Sequence, residues 1–375
     1  MCQSCQQTVP RKKLEFSPED ILDFTHSKYH KEILRFTEPH FAFWELTHSC
    51  NLQCSHCGLA AGKSKSDELD TKGALTILEN ISESDTRFLM LLGGEPLMRK
   101  DFVEIAGFAS ERFEVGVCTN GVLIDKRYAK DMKDAGIWLV GISLDGATKE
   151  THDSIRGKGT YEKTLKGIEN SLDAGLQVCI MHTVSQKNIH ELPGILELVN
   201  DFNIHCFEVN DFLPFGRGEN ISAQTLTKKQ RRSMCEYLSA RRWKALPPVA
   251  SLPDDPFWFI TYEEEYIENC FDPYTDAMII GDTSGILCYG IKPNGKVVPF
   301  PTLRIDIGDL REEPFRGIWK NSDIIKKLKE RENLKGRCGI CEYKFICGGN
   351  RGVAYYYSGD MMAEDPRCWY EPTLN

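Results

Sequence analysis

Between Phe41 and Phe212, short apolar runs alternate with amphipathic helical patterns, and this alternation restricts the fold more than any other feature. FAFWELT (41–47), RFLMLL (87–92), FEVGVCT (113–119), IWLVGISL (137–144), LQVCIMHTV (176–184) and HCFEVNDF (205–212) read as strands. Segments such as TKGALTILENIS and DFVEIAGFASERF carry apolar residues at helical spacing and lie between most of them. Repetition of this kind implies parallel strands joined by crossover helices. The fold class is therefore α/β, and six strands suit a partial (β/α)6 barrel of the TIM type. Periodicity alone also admits an open sheet.

The rest of the chain divides around that block. Residues 1–40 are expected to form an N-terminal helical extension, with Ser17 as N-cap and Pro18 at the first helical position. Residues 41–215 form the barrel. Residues 216–279 read as a helix and a proline-rich linker that includes LPPVASLPDDPFW. Residues 280–375 read as a small C-terminal domain of short strands and turns, with Asn294–Gly295 as a hairpin signal.

Composition narrows the function classes. The net charge of −9 argues against a broad face for nucleic acid or another polyanion. No apolar run approaches the roughly 20 residues that span a membrane. The start, MCQSCQQTVPRKK, lacks an apolar segment followed by a cleavage site, so a cytoplasmic protein is expected. Fifteen cysteines, an odd number with C-x2-C spacings, do not suggest a secreted disulfide framework. In a reducing compartment such thiols stay available for metal.

THSCNLQCSHC (47–57) places Cys50, Cys54 and Cys57 just after the first strand, at the end where parallel-strand folds gather their chemistry. Three thiolates can hold three irons of a [4Fe–4S] cube and leave the fourth open. By the logic that separates open from closed zinc sites, that is a catalytic arrangement. Spacing also admits a zinc half-site, with His48 or His56 as a competing ligand, or three buried thiols. A second set, Cys338, Cys341 and Cys347 in C-x2-C-x5-C with Cys368 beyond, supplies the four thiolates of a closed [4Fe–4S] site. A zinc ribbon is the alternative there.

Other candidates are weaker. Cys118, Cys179 and Cys206 in strand patterns and Cys235 in a helix pattern read as core. Cys2 and Cys5 sit at a chain end, and His26 and His30 share a helix face. His182 reads as a packed strand histidine. Arg217, in LPFGRG after the last strand, is a candidate receptor for a substrate carboxylate at the barrel mouth; an exposed turn is the alternative.

Four motifs stand in one order: the C-x3-C-x2-C loop, GGEP (93–96) at the end of the second strand, ISLDG (142–146) and SIRGKGTYEKTLKGIE (154–169). Together they resemble the radical SAM superfamily over roughly residues 41–215. The resemblance implies that Gly93, Gly94 and Glu95 meet the amino group of S-adenosyl-L-methionine (SAM). It places Ser143 at the SAM ribose or carboxylate and Arg156 at the carboxylate, which an arginine fork pairs bidentately. It further implies that the open iron chelates SAM and that an electron breaks the bond to the 5′ carbon. The 5′-deoxyadenosyl radical then takes a substrate hydrogen, under anaerobic conditions, while the protein aims it and excludes solvent. A reducing partner such as ferredoxin or flavodoxin is expected to supply the electron.

The C-terminal cysteines resemble a SPASM-type extension, over about residues 280–370. The full pattern has a cysteine soon after the hairpin glycine and another just beyond the C-x5-C pair. Here Gly295 is followed by Lys-Val-Val-Pro299-Phe300, and Asn350 follows Cys347-Gly-Gly. One auxiliary cluster on Cys338, Cys341, Cys347 and Cys368 is therefore expected, as an electron relay or a fold staple. Cys288 and Cys270 are left over. CGICEYKFICGG and AYYYSGDMMAEDPRC are similar to the C-terminal stretch of radical SAM enzymes of the alternative heme and heme d1 routes, which implies an oxidoreductase acting on tetrapyrrole side chains. The alternatives are a peptide or protein maturase, an enzyme of a small metabolite such as a sugar, and a non-enzymatic iron–sulfur electron carrier.

Overall fold

The computed structural model describes residues 37–242, 249–250, 281–345 and 347–372. The expected N-terminal helix with Ser17, Pro18, His26 and His30, the Cys2–Cys5 pair, most of the proline-rich linker and Cys270 lie outside the described residues.

Six strands follow in chain order: β1 (Phe41–Glu45), β2 (Phe88–Leu92), β3 (Glu114–Thr119), β4 (Leu139–Ser143), β5 (Gln177–Val184) and β6 (Cys206–Asp211). Each pairs in parallel with the next, from Phe41 opposite Phe88 to Val184 opposite Asp211. The outward-facing residues Leu89, Leu91, Val115, Val117, Val140 and Ile142 are buried under helices that contribute Ile77, Leu78, Phe102, Ile105 and Met132. Burial of each large aliphatic stabilises by about 1.5–3 kcal/mol. Strands covered on both faces explain why the sequence reads as nearly continuous apolar runs. The helices start where side chains cap them: Asp70 accepts the Gly73 N–H at 2.8 Å, and Asp125 accepts the Tyr128 N–H at 2.7 Å.

By strand alternation, Phe43, Met90, Cys118, Ser143, Met181 and Glu208 share the inner face. Gly116 and Gly141 make room on that face, because a β-carbon there would stand 2.8 Å and 2.6 Å from the sulfurs of Met90 and Met181.

The sheet does not end with the barrel. Beyond β7 (Val249–Ala250), β8 (Cys288–Ile291) pairs in parallel with the free edge of β1, with Cys288 opposite Phe41. β9 (Lys296–Val298) folds back on β8 through the expected turn, where Gly295 has φ 82°, and β10 (Gly308–Asp309) pairs with β9. The order β10-β9-β8-β1-β2-β3-β4-β5-β6-β7 is that of one ten-stranded sheet, open between its end strands, which makes it a partial barrel. The boundary expected at residue 280 is thus no break in the sheet. Tyr289, Phe315 and Trp319 pack ring against ring at this junction, with Tyr289 and Phe315 ring centres 4.4 Å apart. Among the described residues, no helix is long and apolar enough to cross a membrane.

Candidate active site

The three-cysteine loop leaves β1 at the C-terminal edge of the sheet and closes on itself. Cys50 N–H donates to the Gly62 carbonyl at 2.9 Å, and Gly62 N–H donates to His48 at 2.9 Å. Arg217 grips the loop from below: Nε donates to the Cys54 carbonyl at 3.0 Å and Nη1 to the Ala61 carbonyl at 2.6 Å. Its main-chain N–H meets the Cys57 carbonyl at 3.0 Å. Arg217 is the residue expected from sequence to receive a substrate carboxylate. Here two nitrogens of its half-buried guanidinium are turned onto main-chain carbonyls of the cysteine loop.

Cys54 is buried, Cys50 and Cys57 are half-buried, and all three are free thiols. Burial pushes the Cys50 thiol up to about 11, and burial also raises Cys54 against the opposing charge of Arg156. Metal binding at this loop must therefore displace protons.

The GGEP turn is built against the same loop. Gly94 N–H donates to the Thr47 carbonyl and Glu95 N–H to the Ser49 carbonyl, both at 2.7 Å. A β-carbon at Gly93, where φ is 147°, would stand 2.6 Å from the Thr47 oxygen; one at Gly94 would stand 2.7 Å from the His48 oxygen. The glycines thus allow main chain to lie on main chain. The Glu95 carboxylate turns inward. It accepts the Asn120 N–H at 2.8 Å, the Thr119 hydroxyl at 2.7 Å and the Leu97 N–H at 3.1 Å. Burial pushes its carboxyl up to about 7 against those three donors. Asn120 then donates to the Asn51 side chain at 2.7 Å, inside the cysteine loop.

Asp145, the residue after Leu144 in ISLDG, is a buried hub that sequence reasoning did not single out. Its carboxylate accepts Arg156 Nε at 2.5 Å and the Thr183 N–H at 2.9 Å, and Oδ2 stands 3.3 Å from His56 Nε2. Burial opposes its ionisation, but Arg156 and His56 outweigh burial and hold the carboxyl well below the usual range. Burial lowers His56 to about 4, so its imidazole is neutral near pH 7. His56 Nδ1 is buried without a hydrogen-bond partner. Arg156 meets Asp145 through Nε, and Ser143 lies half-buried on the inner face at the end of β4. Next to this hub, His56, Ile155, Thr183, Lys187 and Phe212 line a pocket of about 280 Å³.

Cys338, Cys341, Cys347 and Cys368 line one cavity of about 390 Å³, with Gly348 and Gly349 forming part of its wall. Gly349 N–H points at the Cys347 sulfur at 3.3 Å. Buried arginines surround it: Arg351 Nη2 lies 3.8 Å from the Cys338 sulfur, and Arg331 lies directly beneath Gly348. Asn350, at the position where the fuller pattern has a cysteine, caps the helix Arg351–Ser358 by accepting the Val353 N–H at 2.9 Å. Cys288 is built into β8, where its sulfur accepts the Thr283 hydroxyl at 3.2 Å.

Both thiol sets suit clusters better than single ions. Zinc needs its thiolates about 2.3 Å from one centre. Among the described residues, no three Cys, His, Asp or Glu side chains converge on one such point. A [4Fe–4S] cube spreads its thiolates, one to each iron. Four thiols around one cavity, with arginines to balance the charge, fit that group. The three-thiol loop, with the GGEP main chain against it and an orphaned imidazole nitrogen beside it, fits an open cluster with a polar co-ligand.

Comparison with known proteins agrees with this geometry. The Radical SAM superfamily profile matches residues 44–199. The AdoMet-dependent heme synthase of Methanosarcina barkeri (strain Fusaro / DSM 804) is 34% identical over 340 residues, which cover 89% of this chain and 97% of that one. The Fe-coproporphyrin III synthase of the same organism is 29% identical over 378 residues, 94% of each chain. Among solved structures, Streptococcus suis SuiB bound to S-adenosylmethionine has a TM-score of 0.72 at 17% identity, over 89% of this chain and 78% of that one, a likeness of fold. Its ordered motifs, its open barrel and a relative matched over nearly its full length place this chain in the radical SAM superfamily, and the chain belongs to it as an enzyme.

Proposed function

We propose that this enzyme modifies side chains of an iron tetrapyrrole in the synthesis of a heme-type cofactor. One observation carries the reading: the match to an AdoMet-dependent heme synthase runs through nearly the whole of both chains. A [4Fe–4S] cluster with one open iron, when bound with SAM, supplies the radical that takes a hydrogen atom from an unreactive carbon. Cys50, Cys54 and Cys57 are the residues that would hold it. The main chain at Gly93, Gly94 and Glu95 offers oxygens to the SAM amino group, and Arg156 and Ser143 offer donors to the carboxylate. Asp145 keeps Arg156 and His56 in place for that task. Cys338, Cys341, Cys347 and Cys368 would hold one auxiliary cluster, with residues 280–375 as its unit and 41–215 as the barrel. A cytoplasmic reducing protein of the ferredoxin or flavodoxin class supplies the electron.

The test is anaerobic reconstitution with iron and sulfide, followed by SAM, a low-potential reductant and Fe-coproporphyrin III. The expected result is 5′-deoxyadenosine formed together with a mass change on the macrocycle. Formation of 5′-deoxyadenosine that no tetrapyrrole stimulates, but that a peptide or a sugar does, would overturn the substrate reading.

A further inference from the structure

Glu45 ends β1 on the inner face of the barrel, five residues before Cys50, and is only 3% exposed. Its partner comes from far along the chain. Arg304, in the loop between β9 and β10, reaches back over β1, and its two terminal nitrogens grip the two carboxylate oxygens end-on. Nη2 meets Oε2 at 2.9 Å, and Nη1 also faces the Pro301 carbonyl at 3.4 Å. A guanidinium has five N–H donors in a rigid fork. The end-on pair leaves Nε–H and the second Nη2–H, which point in parallel and match a carboxylate. Among the described residues no group accepts from Nε, and the Arg304 side chain is 33% exposed. Arg217 and Arg156 are differently engaged: Arg217 holds loop carbonyls, and Arg156 is paired with Asp145.

We propose that Arg304, aimed by Glu45, anchors a carboxylate of the substrate at the barrel rim beside the cysteine loop. The proposal rests on the tetrapyrrole reading above, since macrocycles of that class carry carboxylate side chains. Glu45 fixes the guanidinium in advance, so little side-chain freedom is lost when the free edge closes on a ligand. A carboxylate held there fixes which side chain of the macrocycle faces the open iron. Arg304 is thus a specificity residue contributed by the C-terminal segment to the barrel's own site.

The experiment uses the full-length reconstituted enzyme and two probes, Fe-coproporphyrin III and its tetramethyl ester. Arg304→Lys keeps the charge and the Glu45 pair but loses the fork. It is expected to raise KM for the free acid by about 10- to 100-fold, with a much smaller change in kcat. The ester, with no carboxylate, is expected to bind wild type and variant equally. The double variant Glu45→Met with Arg304→Met removes the pair without leaving a buried charge; the same KM shift in it, at wild-type iron content, supports the anchor. An unchanged KM in Arg304→Lys overturns the proposal, as does a shift in KM for SAM alone, which would assign the fork to the SAM carboxylate. A loss of melting temperature or iron that accounts for the lost activity reduces the pair to a staple and also overturns it. If wild type itself neither binds nor converts Fe-coproporphyrin III, the tetrapyrrole reading has failed and the anchor falls with it.

Discussion

The amide of Gly94 donates to the Thr47 carbonyl at 2.7 Å, and a β-carbon on Gly93 would stand 2.6 Å from that same oxygen. The turn after β2 and the start of the cysteine loop are therefore one main-chain sandwich. Gly94→Ala must push the His48–Ser49 segment away. The expected outcome is a soluble protein that reconstitutes with roughly half the iron of wild type, keeping the four-thiol cluster and losing the three-thiol one. Iron analysis and the visible absorption of the reconstituted protein check this.

Arg217 acts on the same loop from the opposite side. Arg217→Met removes two donors from the Cys54 and Ala61 carbonyls, each bond worth about 1.5–3 kcal/mol when the donor is charged. SAM cleavage is expected to fall at least about 10-fold, together with iron retention at the open site. KM for a carboxylate-bearing substrate should not rise independently of iron loss. A pure KM effect at full iron content would instead assign Arg217 the role of substrate anchor.

Glu95 gives the fold a pH dependence. Burial pushes its carboxyl from 4.5 up to about 7, so the folded state binds the proton more tightly than the unfolded chain does. Its contribution to stability is complete below pH 4.5 and is lost as pH rises through 7, on the order of 3 kcal/mol in all. Thermal melts between pH 5 and 8 should therefore show a decline that Glu95→Gln flattens. An identical slope in the variant would show that Glu95 is ionised throughout that window.

Asn350 caps the helix that follows the four-thiol cavity. Asn350→Ala is expected to lower stability by about 0.5–2 kcal/mol, because the Val353 N–H loses its acceptor inside the protein. Asn350→Asp keeps the acceptor, but it places a negative charge beside Asp365, whose carboxylate already takes the Asn350 N–H at 3.1 Å. Denaturant melts of the two variants separate the cap from the charge.

The strands of the barrel were legible in the sequence because each carries one apolar face for the helices and one for the interior. The cysteine sets and the glycine turn were legible from spacing. Asp145 was within reach, since it sits inside the quoted ISLDG stretch, but a buried carboxylate looks like any other aspartate until its partners, 11 to 89 residues away in the chain, are in place. Arg304 and Glu45 are separated by 259 residues and carry no motif. The pairing of β8 with β1 was hidden for the same reason. Local pattern announces a strand but not a neighbour that arrives 247 residues later, as Cys288 does for Phe41.

That pairing has a consequence for the nascent chain. The first strand of the barrel emerges early from the ribosome, yet one of its two hydrogen-bonding edges waits for Cys288–Ile291. Until then it presents bare amides and carbonyls beside Phe41 and Phe43, the kind of edge on which polypeptides aggregate. A fragment that stops before residue 281 keeps that exposure permanently, so expression of the barrel alone should yield insoluble protein even though every residue of its three-cysteine loop is present.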